Sequence, residues 1–163
     1  VWNWLVRHLV AQGVPEGSAL NVLSFGFAIG LIVGRVVAGQ LLNSKSITAV
    51  AVLLMSSVLM AVFTFAMLQT RNAALAWVLL FCVGISMAPV FPTALAVAND
   101  MFKSTAGTAI GILTTCGWIG LAVSSRIIGS VAGDDPKRLK KALLLLPGMA
   151  VVMIAINVIL LKR

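Results

Sequence analysis

The chain has 163 residues, of which 61% are hydrophobic and 10% charged, with a net charge of +8 and a mean hydropathy of +1.11. Twelve basic and four acidic residues cannot cover the outside of a soluble domain this long, in which about a quarter of positions carry charge. That excludes a soluble enzyme, a secreted disulfide scaffold, a disordered chain and a fibrous repeat.

The charges are confined to short clusters. Runs free of Asp, Glu, Lys and Arg cover 17–34, 46–70, 72–99, 104–125 and 142–161, which are 18, 25, 28, 22 and 20 residues long. A transmembrane helix needs about 20 mainly apolar residues. Lipid offers no hydrogen bonds to an open backbone, and the runs lack the period-two alternation of barrel strands. The predicted fold is therefore an all-α membrane protein with about five transmembrane helices and the end of a sixth.

Residues 1–12 read as an interfacial helix or the end of another span, and Val1 as a cut through a larger protein. The first span is expected over about Glu16 to Leu42, with Pro15 leading into the first turn, where its missing N–H costs nothing. Gly26, Gly30, Gly34 and Ala38 repeat at four-residue spacing, a small-residue stripe that lets another helix backbone approach closely. Asn21, Ser24, Ala28 and Leu31 fall on one face, which Arg35 continues. Asn43-Ser44-Lys45-Ser46 is a polar link.

The second span, about Ile47 to Leu68, is nearly all bulky aliphatic, as is the fifth, about Leu139 to Leu161. Both are expected to face lipid. The third span, about Ala73 to Met101, contains Ala88-Pro89-Val90-Phe91-Pro92-Thr93. Each proline removes a backbone bond and crowds the preceding turn. The break is read either as a bend lining a cavity or as a packing kink. The fourth span, about Ala106 to Val131, repeats the small-residue spacing at Gly107/Gly111 and Gly129/Gly133. Like the first, it is expected to be a crowded helix facing protein. Thr114, Thr115 and Trp118 sit among its glycines, and Trp118 is either a filler or a wall of a substrate pocket. Arg126, near the far end, reads as an interface residue.

Arg35 is read either as a helix-end arginine snorkelling to the headgroups or as half of an ion pair. Asp100 ends the third span on the same side of the membrane, so Arg35 and Asp100 are predicted to lie close enough to pair, directly or through neighbours. Cys82 and Cys116, each inside an apolar run, read as packing residues. His8 is the one histidine and lies near a membrane edge. Asp134-Asp135 with Lys137, Arg138, Lys140 and Lys141 reads as a turn with headgroup contacts. No nucleophile, base or metal-ligand spacing appears, so neither an enzyme, a cofactor nor a metal is expected. No acidic residue lies deep in a span. The four Trp (Trp2, Trp4, Trp77, Trp118) are not interleaved with basic residues as a nucleic-acid stacking platform needs, and no nucleic-acid partner is expected.

Phe25-Gly26-Phe27-Ala28-Ile29-Gly30-Leu31-Ile32-Val33-Gly34-Arg35, Gly84-Ile85-Ser86-Met87-Ala88-Pro89-Val90-Phe91-Pro92-Thr93 and Ala106-Gly107-Thr108 through Gly120 resemble the eighth, tenth and eleventh helices of major facilitator superfamily transporters. The second of these segments is similar to fucose-permease-like and sodium–glucose-transporter-like members. Trp4-Leu5, Gly13 and Ser18-Ala19-Leu20 look like the end of the seventh helix and the start of the eighth. The loop Gln40-Leu41-Leu42-Asn43-Ser44-Lys45 lacks the acidic and repeated basic residues common there, which favours the C-terminal half of the fold.

The resemblance implies that residues 1–163 form one helical bundle, half of a twelve-helix transporter. It implies alternating access for a small polar solute, a sugar among the candidates, with a proton or sodium gradient as coupling ion. The partners it implies are the solute, membrane lipid and the missing N-terminal half. Asn21, Phe25, Phe91, Pro92, Thr115 and Trp118 are the expected substrate path. A plasma-membrane location is expected, with a cytoplasmic C-terminus. The charges oppose that orientation: five basic residues fall at the inner ends and seven at the outer, against the positive-inside rule. The other reading is a non-transporting multi-pass protein or degenerate half-transporter with an assembly role.

Overall fold

A computed structural model describes residues 2–43, 47–133 and 135–161. The link at 44–46, Asp134 and the terminal Lys162 and Arg163 lie outside the described residues. Among the described residues the chain is helical with no strand, and five helices are long and apolar enough to cross a membrane.

Helix α1 (Trp2–Ala11) ends at Gly13, whose φ of +92° suits glycine. Helix α2 (Glu16–Asn21) opens the first span, with Ala19 N–H donating to the Pro15 carbonyl at 2.9 Å. The span runs on through a π-helical segment, Val22–Phe27, into α3 (Ala28–Asn43). Helix α4 (Ala49–Gln69) is capped by Thr48, whose hydroxyl accepts from Ala51 N–H at 3.3 Å. Helix α5 (Ala73–Met87) is capped likewise by Asn72, accepting from Ala74 N–H at 2.9 Å. The third span breaks at Ala88-Pro89 and resumes as α6 (Val90–Met101). Pro92 is absorbed in the first turn of α6, where the free N–H it lacks is not needed.

A short 3₁₀ turn, Lys103–Thr105, leads to α7 (Ala106–Ala132), the longest helix. The fifth span is two helices, α8 (Pro136–Leu143) and α9 (Leu145–Leu161), where the sequence suggested one. Pro147 has no N–H to give the Leu143 carbonyl, and the helix loosens at Leu144 between them.

The first span packs along α5; α4 packs on α5, α6 and α9; and α7 touches α6 and α8. The closest approach is between α3 and α5. A Cβ added at Gly34 would stand 2.5 Å from the Ile85 carbonyl oxygen and 2.7 Å from Ala88 Cβ. One added at Gly30 would collide with the Phe81 carbonyl oxygen, and one at Gly84 would meet the Phe27 carbonyl oxygen at 2.6 Å. Pro89 cannot return an N–H to the Ile85 carbonyl, and it is this oxygen that Gly34 lies against. The small stripe of the first span is thus the seat of the broken helix.

The fourth span differs from expectation. Gly107, Gly111, Gly117 and Gly120 have open space where a Cβ would stand, and only Gly129 is closely met, by the Trp4 ring. Small residues permit a close neighbour but do not supply one; α7 here keeps most of its surface exposed. The second and fifth spans also share a face. They pack on each other, burying Ser57 and Asn157, while Val62, Phe65, Val152 and Ile159 stay exposed on their other faces.

Gly34→Val is expected to destabilise the bundle by about 1–3 kcal/mol, the usual range for overpacking, because it is opposed by backbone that cannot swing away. Gly107→Val has open space. Thermal unfolding in detergent should show a lowered midpoint for the first variant and a shift several-fold smaller for the second.

Candidate functional site

Phe91 begins α6 just past the break and is 52% exposed; Trp118, midway along α7, is 68% exposed. Helices α6 and α7 are in contact, so these two aromatic residues belong to adjoining helices. Pro92 and Thr115 are also exposed. The Thr115 hydroxyl donates to the Gly111 carbonyl at 2.8 Å, which leaves its oxygen lone pairs outward. Phe25, in the π-helical segment, is 62% exposed, and Asn21 is exposed one turn before it.

The single face drawn from Asn21 to Arg35 is not preserved. A π turn holds more residues than an α turn, so the register shifts between the two ends. Ser24, Ala28 and Leu31 line a cavity of about 300 Å³ together with Val6, Leu20, Leu23 and Phe27, but Asn21 and Arg35 do not. In the same segment Gly26 meets the Trp77 indole, 3.3 Å from an added Cβ to Nε1, and Trp77 stacks on Phe81 with centroids 5.8 Å apart.

A small gap lies beside the helix break. Ile85, Ser86 and Pro89 face Gly34, Ala38, Val52 and Ser56 across a space of about 110 Å³. Its walls are mostly apolar, and the Ser86 hydroxyl is committed to the Cys82 carbonyl at 2.8 Å.

Arg35 and Asp100 form no ion pair with each other among the described residues; both are exposed. The reason is the break. Helix α3 follows α5, whereas α6 leaves that line to pack on α4 and α7. The two charges ride on helices with different neighbours. The ion pair that does form joins Arg138 to Asp135 at 3.8 Å on the surface, where such a pair contributes little.

Two polar features were missed by the sequence reading. Asn157 of α9 donates through Nδ2 to the Met153 carbonyl at 2.8 Å and, at 3.4 Å, to the Ser57 hydroxyl of α4. Ser57 in turn donates to the Leu53 carbonyl at 2.6 Å. An amide amid aliphatic residues in a span was the available signal. The other is His8, which is buried on α1 and takes a hydrogen bond from Gln12.

Among the described residues no group of His, Cys, Asp and Glu is arranged to hold a metal ion. In comparison with known families, the model of the Major Facilitator Superfamily matches residues 3–125. No curated protein and no solved structure matches the chain.

The contact between Ser57 and Asn157 should be measurable as a coupling. In a double-mutant cycle of Ser57→Ala and Asn157→Ala, unfolding in detergent should give an interaction of about 0.6 kcal/mol, with an upper bound near 1.7, as for other interhelical hydrogen bonds in membranes. Strict additivity would show that the two side chains act independently.

Proposed function

The chain belongs to the major facilitator superfamily, and on that premise we propose that it is the C-terminal bundle of a secondary transporter for a small polar solute, with sugars the first class to test. Membership makes it a multi-pass integral membrane protein of a transporter family, not of an enzyme family. The proposed mechanism is rocking of this bundle against a second one around a midplane site.

The observation that carries the reading is the family match. The open side of α6 and α7 supports the assignment of the path. A soluble protein would not leave Trp118 and Phe91 bare, and a lipid-facing helix has no need of the hydroxyls and glycines that surround Trp118. In the proposal, Phe91, Pro92, Thr115 and Trp118 line one wall of the path. Asn21 and Phe25 contribute from the first span. Aromatic faces suit the C–H faces of a sugar, and Thr115 and Asn21 supply hydrogen-bonding groups. Asp100 and Glu16 lie at the ends of spans, so a proton or sodium coupling group would come from the second bundle.

The test is uptake of a labelled sugar panel by the full-length protein in proteoliposomes, with and without a proton or sodium gradient. Gradient-dependent uptake is expected. Trp118→Ala and Phe91→Ala should each reduce it by about tenfold, equivalent to ~1.4 kcal/mol of lost contact, with folded yield unchanged. Val152→Ala, on the exposed face of α9, should not. No gradient-dependent uptake of any small solute would overturn the reading.

A further inference from the structure

His8 sits where three elements meet: α1, the end of α4 and the start of the fifth span at α8. It is 2% exposed. Leu5 and Leu9 of α1, Leu68 of α4, and Leu139 and Leu143 of α8 belong to one buried cluster around this junction.

The geometry suits a neutral ring and opposes a charged one. Gln12 Nε2 donates to His8 Nε2 at 3.0 Å, so that nitrogen must accept. Gln12 Oε1 is buried without a hydrogen-bond partner among the described residues, and the Leu68 backbone lies beside the ring. A proton added to Nε2 would point at the amide NH₂ unless Gln12 turned over.

The charged groups around the ring give no relief. On α8, Lys140 donates to Gln69 Oε1 at 2.7 Å, which fixes an ammonium at the end of α4. Arg138 pairs with Asp135, and Lys141 is exposed. On α1, the Arg7 guanidinium lies over the Trp4 ring, 5.2 Å from its centroid. On α2, Glu16 is exposed at the mouth of the first span. Leu68 and Gln69 of α4 carry no charge.

We propose that His8 is a proton-operated latch that holds α1 against the ends of α4 and α8 while neutral and releases it when protonated. The same junction joins the end of α4 to α8 through Lys140 and Gln69, so release loosens one membrane face of the bundle. Burial, with Lys140 adding to it, holds the imidazole below its ordinary value of 6.5, against the opposing pull of the Leu68 backbone. The closed junction therefore binds a proton less readily than the open one. Its stability is present above the ordinary histidine range and is lost as pH falls through 6.5 toward the lowered value.

The experiment is hydrogen–deuterium exchange of the full-length protein in nanodiscs, corrected for intrinsic rates, between about pH 8 and pH 5, the range over which histidine titrates. Protection of 2–11 and 136–143 should fall several-fold in acid, while α5 keeps its protection. His8→Gln should abolish the acid step. Gln12→Glu, which places a carboxylate beside the ring, should abolish or reverse it. Protection that persists to pH 5 in the unsubstituted protein overturns the latch, and so does an acid step that survives in His8→Gln. Should His8→Gln fail to fold, an acid step in Gln12→Glu equal to that of the unsubstituted protein overturns it.

Discussion

Backbone meets backbone between α3 and α5, and the rest of the bundle is arranged around that contact. A bilayer supplies no donor to a carbonyl that a proline has deprived of its helical partner. Pro89 creates such a carbonyl at Ile85, and the residue against it is Gly34, with Gly30 on Phe81 and Gly84 on Phe27 one turn away. Only a surface without Cβ atoms can come this near. The proline break in one span and the glycine stripe in another are two halves of a single arrangement.

The break then decides what the remaining helices can do. Because the chain bends at Ala88-Pro89, α6 leaves α5 and reaches α4 and α7. Helix α4 is consequently enclosed by α5, α6 and α9, and it carries the buried hydroxyls Ser56, Ser57 and Thr64. Among the described residues helix α7 packs chiefly on α6 and α8, with Trp4 of α1 against Gly129, and keeps a long open face bearing Ile112, Trp118 and Ile119. The contrast between a seated first span and an open fourth span is the structural asymmetry on which a two-bundle transport cycle would operate.

Much of this was legible in the sequence, and what was not has physical causes. Charge-free runs mark spans because the cost of a buried charge in lipid is large and local. Pro89 marks a break because a missing N–H is a covalent fact. The stripe Gly26, Gly30, Gly34 announced a close contact, but a stripe says nothing of its partner; Gly84 became meaningful only once α5 lay against it. For the same reason Gly107 and Gly111 announce a close contact without naming it, and no part of the described chain lies against them. Periodicity also assumed 3.6 residues per turn, so the π segment at 22–27 displaced Asn21 from the face of Arg35. The Ser57 to Asn157 contact spans a hundred positions and rests on a hydroxyl in one aliphatic run and an amide in another, which average hydropathy hides. Alternation of spans puts Arg35 and Asp100 on one side of the membrane but does not say which helices are neighbours, and no direct ion pair joins them among the described residues.

The central claim is that the open face of α7 lines water rather than lipid in the assembled protein. Single cysteines at Thr115 and at Val152, placed in the full-length protein after Cys82 and Cys116 are replaced, separate the two cases. A hydrophilic maleimide should label the cysteine at 115 at least about tenfold faster than the one at 152, since the reactive thiolate forms only where water reaches it. Equal and negligible labelling at both positions would put this face of α7 in lipid or in sealed protein, and would contradict the account.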